Sequence, residues 1–167
     1  TGRITAIAPG PDGHLYASQP DRQGIVAYGA DGSQRTVAEG ITAHAITLNA
    51  SGLIIGTDPA QGIISVVHPD GTRRDYRGEG LREPSTLALS PDQVFLAVLD
   101  RTGVWGWSFQ LTPEGELRDG QPFYRVLPDE TDPTRRAAAI AIDTTGDLYI
   151  PNDSGITLVT QSGRTRE

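Results

Sequence analysis

Residues 84–100 read P-S-T-L-A-L-S-P-D-Q-V-F-L-A-V-L-D. The runs 86–89 and 94–99 are apolar or β-branched and too short for helices, and Ser90-Pro91-Asp92 between them carries ordinary turn chemistry. The stretch predicts two antiparallel strands joined by a turn, the second ending on the carboxylate of Asp100.

The same pattern occurs at residues 6–19 (A-I-A-P-G-P-D-G-H-L-Y-A-S-Q), 45–58 (A-I-T-L-N-A-S-G-L-I-I-G-T-D) and 139–152 (A-I-A-I-D-T-T-G-D-L-Y-I-P-N). Each copy is followed by a third apolar run and a second turn containing Gly32, Gly71, Gly115 or Gly163, glycines spaced 39, 44 and 48 residues apart. A fourth short segment closes the first three units, at 35–38, 73–76 and 122–126. Four short strands in each unit of about 40–50 residues is the signature of a β-propeller blade. The expected fold is therefore all-β, with blades at about 4–40, 42–80, 84–129 and 137–167, the last stopping after its third strand.

Composition fits one domain with a real core: 167 residues, 37% hydrophobic, with 20 glycines and 12 prolines spread at turn intervals. No apolar run approaches a membrane span and no signal peptide is visible, so no membrane partner is expected. The net charge is −7, every base is Arg, and no basic patch is interleaved with aromatics, which argues against nucleic acid. The absence of Lys points to a GC-rich coding sequence. With no cysteine there is no disulfide, thiolate ligand or thiol nucleophile. The compartment is left open, with a secreted or periplasmic protein among the readings. A chain that starts at Thr1 and holds no Met reads as a processed product or a piece of a longer open reading frame.

In a propeller, the loop leading into each first strand and the loop joining second to third strands share one face, around the central channel. That geometry selects His44, Ser85 and Ala138 before the first strands, and Gln19, Asp58, Asp100 and Asn152 at the ends of the second. Converging oxygen atoms from separate blades suit a hard cation such as Ca²⁺. Asp58 and Asp100 also read as turn caps bonded to backbone N–H groups. His14 and His68 fall in or beside turns and read as surface residues. Trp105, Trp107 and Phe109 alternate on one strand face, as a ligand platform or, more in keeping with stacked sheets, as blade-to-blade filling. Asn49-Ala50-Ser51 and Asn152-Asp153-Ser154 match a glycosylation sequon but read as turns. The polar segment 128–136 reads as a solvated crossover.

Residues 87–92 (L-A-L-S-P-D), 96–100 (L-A-V-L-D) and 104–111 (V-W-G-W-S-F-Q-L), with 139–143 and 146–150 in the next unit, resemble the gluconolactonase/regucalcin family. The resemblance runs over nearly the whole chain, most specifically over 84–160. It implies a six-bladed propeller whose channel mouth holds a divalent cation, Ca²⁺ or Zn²⁺, on Glu, Asn and Asp side chains. The cation would polarise a lactone carbonyl while an acidic residue activates water. The substrate so implied is a small-molecule lactone or sugar acid. The family's P-N-G stands here as Pro84-Ser85-Thr86, its Asp-Gly as Ala138-Ala139, and its Glu has no counterpart.

The expectation is thus a gluconolactonase-like propeller with a degraded metal site and little lactonase activity. The alternatives are a non-catalytic module that binds a small molecule or protein through its channel-face loops, and a rearranged site using His44, Asp58 and Asp100. Binding candidates are His44, Ser85, Asp58, Asp100 and Asn152, with Asp58 and Asp100 the metal candidates. A six-bladed ring needs two further blades, so another chain or a second copy is expected to complete it.

Overall fold

The computed structural model describes residues 2–126, 139–152 and 155–166, with the backbone alone at 152 and 166. These residues form four antiparallel sheets of four strands, each in simple sequence order. Blade 1 holds β1 (Ala6–Pro9), β2 (Leu15–Gln19), β3 (Gly24–Tyr28) and β4 (Gln34–Glu39). Blade 2 holds β5 (Ala45–Leu48), β6 (Ile54–Asp58), β7 (Ile63–Val67) and β8 (Arg73–Tyr76). Blade 3 holds β9 (Pro84–Leu89), β10 (Phe95–Asp100), β11 (Trp105–Leu111) and β12 (Leu117–Arg125). Blade 4 holds β13 (Ala141–Ile142), β14 (Leu148–Asn152), β15 (Gly155–Val159) and β16 (Thr165–Arg166). The chain is an all-β, partial propeller. Innermost strands β1, β5, β9 and β13 neighbour one another in series around the axis.

The turns follow from the residues that tolerate positive φ. Gly13, Gly52 and Gly146 supply it between the first and second strands of blades 1, 2 and 4, and Gln93 (φ 62°) does so in blade 3. Blade 3's turn is also one residue longer: Ser90 N–H bonds Phe95 O, whereas Gly10 bonds His14 O and Asn49 bonds Leu53 O. The extra residue starts β10 at Phe95 rather than 94, and the strand includes Asp100. At its other end a bulge at Leu99/Asp100 sets Asp100 opposite Pro84, extending β9 back beyond residue 86.

Three other expectations need correction. The last strand of blade 3 covers nine residues, Leu117–Arg125, because β11 continues to Leu111 and pairs with it from Trp105↔Arg125 to Leu111↔Leu117 across two register shifts. Blade 4 has a fourth strand, since Val159 pairs with Thr165 and Leu158 with Arg166. Trp105 does not join Trp107 and Phe109 inside: a register shift at Gly106/Trp107 interrupts the ladder, and Trp105 is exposed. Trp107 and Phe109 do fill the interface with blade 2, stacked at 6.4 Å between centroids. The crossover 128–136 lies outside the described residues.

Strand alternation sends one side of every sheet to the preceding blade and the other to the following one. Ile25, Ala27 and Tyr16 of blade 1 meet Ile46, Ile54 and Val67 of blade 2. Ile55, Ile64 and Val66 of blade 2 meet Leu96, Val98, Trp107 and Phe109 of blade 3. Leu99 and Tyr124 of blade 3 meet Leu148, Ile150 and Val159 of blade 4. The core is thus three blade interfaces in series. Burying a full aliphatic side chain at such an interface stabilises by about 1.5–3 kcal/mol.

Candidate functional site

Gln19, Asp58, Asp100 and Asn152 close the second strands of the four blades at one register position. The reason is local: each strand is held by its neighbours until this residue, where the chain turns away and a polar side chain can bond the loop it enters. Asp58 is buried, and its carboxylate accepts bonds from the Gln61 backbone N–H (3.0 Å), Gln61 Nε2 (2.9 Å) and the Thr42 hydroxyl. Asp100 is buried too. It accepts from the backbone N–H groups of Arg82 (2.8 Å), Thr102 (2.9 Å) and Glu83 (3.3 Å), and from the Thr102 hydroxyl (2.9 Å). Burial pushes the Asp100 carboxyl up, but these donors outweigh it and hold the group below the usual aspartate value. Both carboxylates therefore tie a loop to its strand.

Gln19 gives Nε2 to the Tyr28 hydroxyl at 2.6 Å, while its Oε1 is buried and has no partner among the described residues. Asn152 ends β14 opposite Gly155, and only its backbone is described. Ala138 lies outside the described residues. His44 is exposed, with Nδ1 3.1 Å from the Ser85 carbonyl oxygen. A carbonyl only accepts, so this contact requires the proton on Nδ1. Ser85 is buried and its hydroxyl donates to Leu99 O at 3.1 Å. His44 and Ser85 thus come together, but through a backbone carbonyl. His14 and His68 are half-buried, with His14 Nδ1 3.2 Å from Asp12 Oδ2. Asn49 is a turn residue, its Oδ1 accepting from the backbone N–H groups of Ser51 and Leu53.

Two hydroxyls beside these positions belong to no motif of the sequence. Thr57 Oγ1 donates to Ser85 O (3.0 Å), and Ser18 Oγ donates to Ala43 O (2.6 Å), each reaching the next blade from the residue before Asp58 or Gln19. Their signal in sequence is a small hydroxyl residue on the inward side of a strand otherwise apolar. They bind blade to blade on the channel face.

The channel-face donor set does not fit a divalent cation. The Asp58 and Asp100 oxygens face N–H and O–H donors, which a cation would have to displace, and the Ser85 oxygen directs its hydrogen at a carbonyl. Among the described residues, no three His, Asp or Glu side chains gather as a metal centre.

A cleft of about 490 Å³ lies elsewhere, between blades 3 and 4. It is bordered by Ser90–Asp92 and Thr144–Gly146, the first-to-second-strand turns, and so opens on the face opposite Asp58 and Asp100. Its cause is small side chains: Ala97 and its partner Ser108 stand where blade 2 has the paired Ile55 and Val66. Phe95, Phe123 and Leu148 supply the apolar walls.

No protein-family model matches the chain. No curated protein matches it. Solved structures do: a streptogramin B lyase aligns with 98% of this chain and 53% of its own at 16% identity, with a TM-score of 0.77. A protein whose description reads "putative gluconolactonase" aligns over 95% of this chain and 60% of its own, at 19% identity and a TM-score of 0.77. A gluconolactonase from Xanthomonas campestris aligns over 99% of this chain and 75% of its own, at 16% identity and a TM-score of 0.63. At such identities the likeness carries the β-propeller fold alone. The chain spans about half the length of the streptogramin B lyase.

Proposed function

We propose that this chain is a gluconolactonase-like propeller with little or no lactone-hydrolysing activity of its own, serving as a recognition scaffold. The observation that carries the reading is that Asp58 and Asp100, the acidic residues at the channel-face strand ends, each accept three or four hydrogen bonds from local donors. A metal-assisted hydrolase needs a ligand set open to the cation and a carboxylate able to take a proton from water. Ser85 offers a hydroxyl already committed to Leu99 O. The gluconolactonases among the similar structures keep lactones and sugar acids as the first ligand class to try.

The deciding experiment is hydrolysis of gluconolactone with and without Ca²⁺ or Zn²⁺, against a metal-only blank, beside calorimetry of the same ions. The expected result is no acceleration and no tight site. Metal-dependent turnover, or sub-micromolar one-site binding lost in Asp58→Ala or Asp100→Ala, would overturn the reading.

The cleft favours a second reading, in which recognition uses the opposite face. A concavity of this size with apolar walls and a polar rim suits a small neutral molecule with a flat apolar body. Binding of such a ligand abolished by filling the cleft at Ala97, and untouched by changes at Asp58, would favour this reading over the channel face.

A further inference from the structure

The second strands of the four blades share one equivalent position, the residue after the one paired with the end of the first strand. It is Tyr16 in blade 1, Ile55 in blade 2, Ala97 in blade 3 and Tyr149 in blade 4. In blade 1 the Tyr16 side chain is buried and its hydroxyl donates to Asp12 Oδ2 at 3.0 Å. In blade 4 the Tyr149 hydroxyl donates to Asp143 Oδ2, also at 3.0 Å. Both acids belong to the turn between the first and second strands of the same blade. Blade 2 has Ile55 at this position and no acid in its turn, Asn49 to Gly52. A tyrosine here thus goes with an acidic acceptor in its own turn.

Blade 3 keeps the acceptor and lacks the tyrosine. Its turn matches that of blade 1, with Ser90-Pro91-Asp92 at the places of Gly10-Pro11-Asp12. Asp92 Oδ1 accepts the Val94 N–H at 3.2 Å, just as Asp12 Oδ1 accepts the His14 N–H at 3.2 Å. In blade 1 the other oxygen of that carboxylate takes the Tyr16 hydroxyl, whereas Asp92 Oδ2 has no partner among the described residues. The Ser90 hydroxyl and the Val94 N–H hold the Asp92 carboxyl below the usual aspartate value, so it is ionised at neutral pH. Ala97 leaves the place of the ring open, and Asp92 borders the cleft that results.

We propose that the cleft between blades 3 and 4 binds a small para-substituted phenol, its ring over Ala97 and Ser108 and its hydroxyl donating to Asp92 Oδ2. This rests on the reading of the cleft as a recognition site and names its ligand. The chain itself supplies the template, since the side chain of Tyr16 is such a phenol. An ionised acceptor selects a hydroxyl over plain hydrocarbon. Asp92 is also the one charged side chain on the cleft lining, so a sugar acid or other anion is repelled. A free ring suits the space better than a tethered one. Tyr16 packs on Gly10, where a β-carbon would lie 2.3 Å from Cε2, and blade 3 has Ser90 at that place. A guest not tied to β10 can shift away from Ser90, between Ala97 and Leu148 of the facing blade. The exposed rings of Phe95 and Phe123 add aromatic wall.

An NMR titration of the chain with p-cresol, and separately with toluene, which lacks only the hydroxyl, tests this. p-Cresol is expected to shift the amide signals of Asp92, Ala97 and Ser108 and to bind about tenfold more tightly than toluene, as a hydrogen bond to a charged group should give. Asp92→Asn keeps an oxygen for the Val94 N–H but turns an amino group toward the guest. It should abolish the preference for p-cresol and leave toluene binding unchanged, while Ala97→Ile should abolish binding of both. Equal binding of the two by the unmodified chain, or a preference that survives Asp92→Asn, would overturn the phenol assignment and leave the cleft as a site for apolar molecules. Failure of both to bind would overturn the assignment and the cleft reading together. Binding that persists in Ala97→Ile would do the same, by placing the guest elsewhere.

Discussion

A β-carbon on Gly106 would sit 2.0 Å from Cε2 of Tyr124. The two residues pair directly across β11 and β12, and the Tyr124 ring folds over the bare glycine backbone. In doing so it fills the interface with Val126, Leu148 and Ile150. Gly106→Ala should push the ring out of this position and cost about 1–3 kcal/mol, the usual range for overpacking. Urea unfolding measures it. The Tyr124 hydroxyl is buried with no partner among the described residues, and burial pushes its pKa up. Tyr124→Phe should therefore leave stability unchanged or raise it. A loss above about 1 kcal/mol in Tyr124→Phe would mean the hydroxyl makes a bond that matters.

Asp100 gives a pH signature. Its folded pKa lies below the unfolded one, so the unfolded chain binds more protons in the acid range. The stabilisation is complete above the usual aspartate value and is lost as pH falls through the lower folded value. Asp100→Asn should remove about 1–3 kcal/mol at pH 7, because an amide turns a donor toward N–H groups that need an acceptor. It should also flatten the fall in stability below pH 4. A variant with the wild-type acid profile would show that other carboxylates set it.

Much of this was legible in the sequence because propeller turns need residues tolerant of positive φ. Gly13, Gly32, Gly52 and Gly71 stand at fixed offsets and mark the hairpins. Gln93 does the same work without advertising it, so the start of β10 was misplaced by one residue. The short β16 was missed because two residues carry no periodicity. The site was less legible. Asp58 and Asp100 do end their strands, but whether such a carboxylate is left open or engaged depends on Gln61, Thr42 and Thr102 folding back onto it. The cleft was invisible because it arises from two small residues, Ala97 and Ser108, whose neighbours decide that the space stays open.

Thr57 tests the tie between blades 2 and 3. Its hydroxyl and His44 Nδ1 both reach Ser85 O. Thr57→Val keeps shape and removes the buried donor, so it should cost about 1 kcal/mol, with His44 still in place. His44→Ala alone should cost less, since that side chain is exposed. The double variant should cost more than the two single losses together, because only then does the carbonyl lose both of its side-chain donors. Strict additivity in urea unfolding would mean that the two bonds act separately.

Ala97 decides how the cleft is to be understood. If the space is only a packing gap, a larger side chain from β10 should fill it, as Ile55 fills the equivalent position in blade 2. Ala97→Ile should then stabilise by about 0.5–2 kcal/mol, as cavity filling commonly does. The walls can receive it, because Phe95 and Phe123 are exposed and can turn outward. The gain should appear as a higher urea midpoint with an unchanged slope, since the surface exposed on unfolding barely alters. A loss of stability would mean that the backbones of β10 and β14 are already too close for a branched side chain. The gap would then be confined to the rim near Asp92 and Thr145, leaving no room for an apolar ligand body beside Leu148.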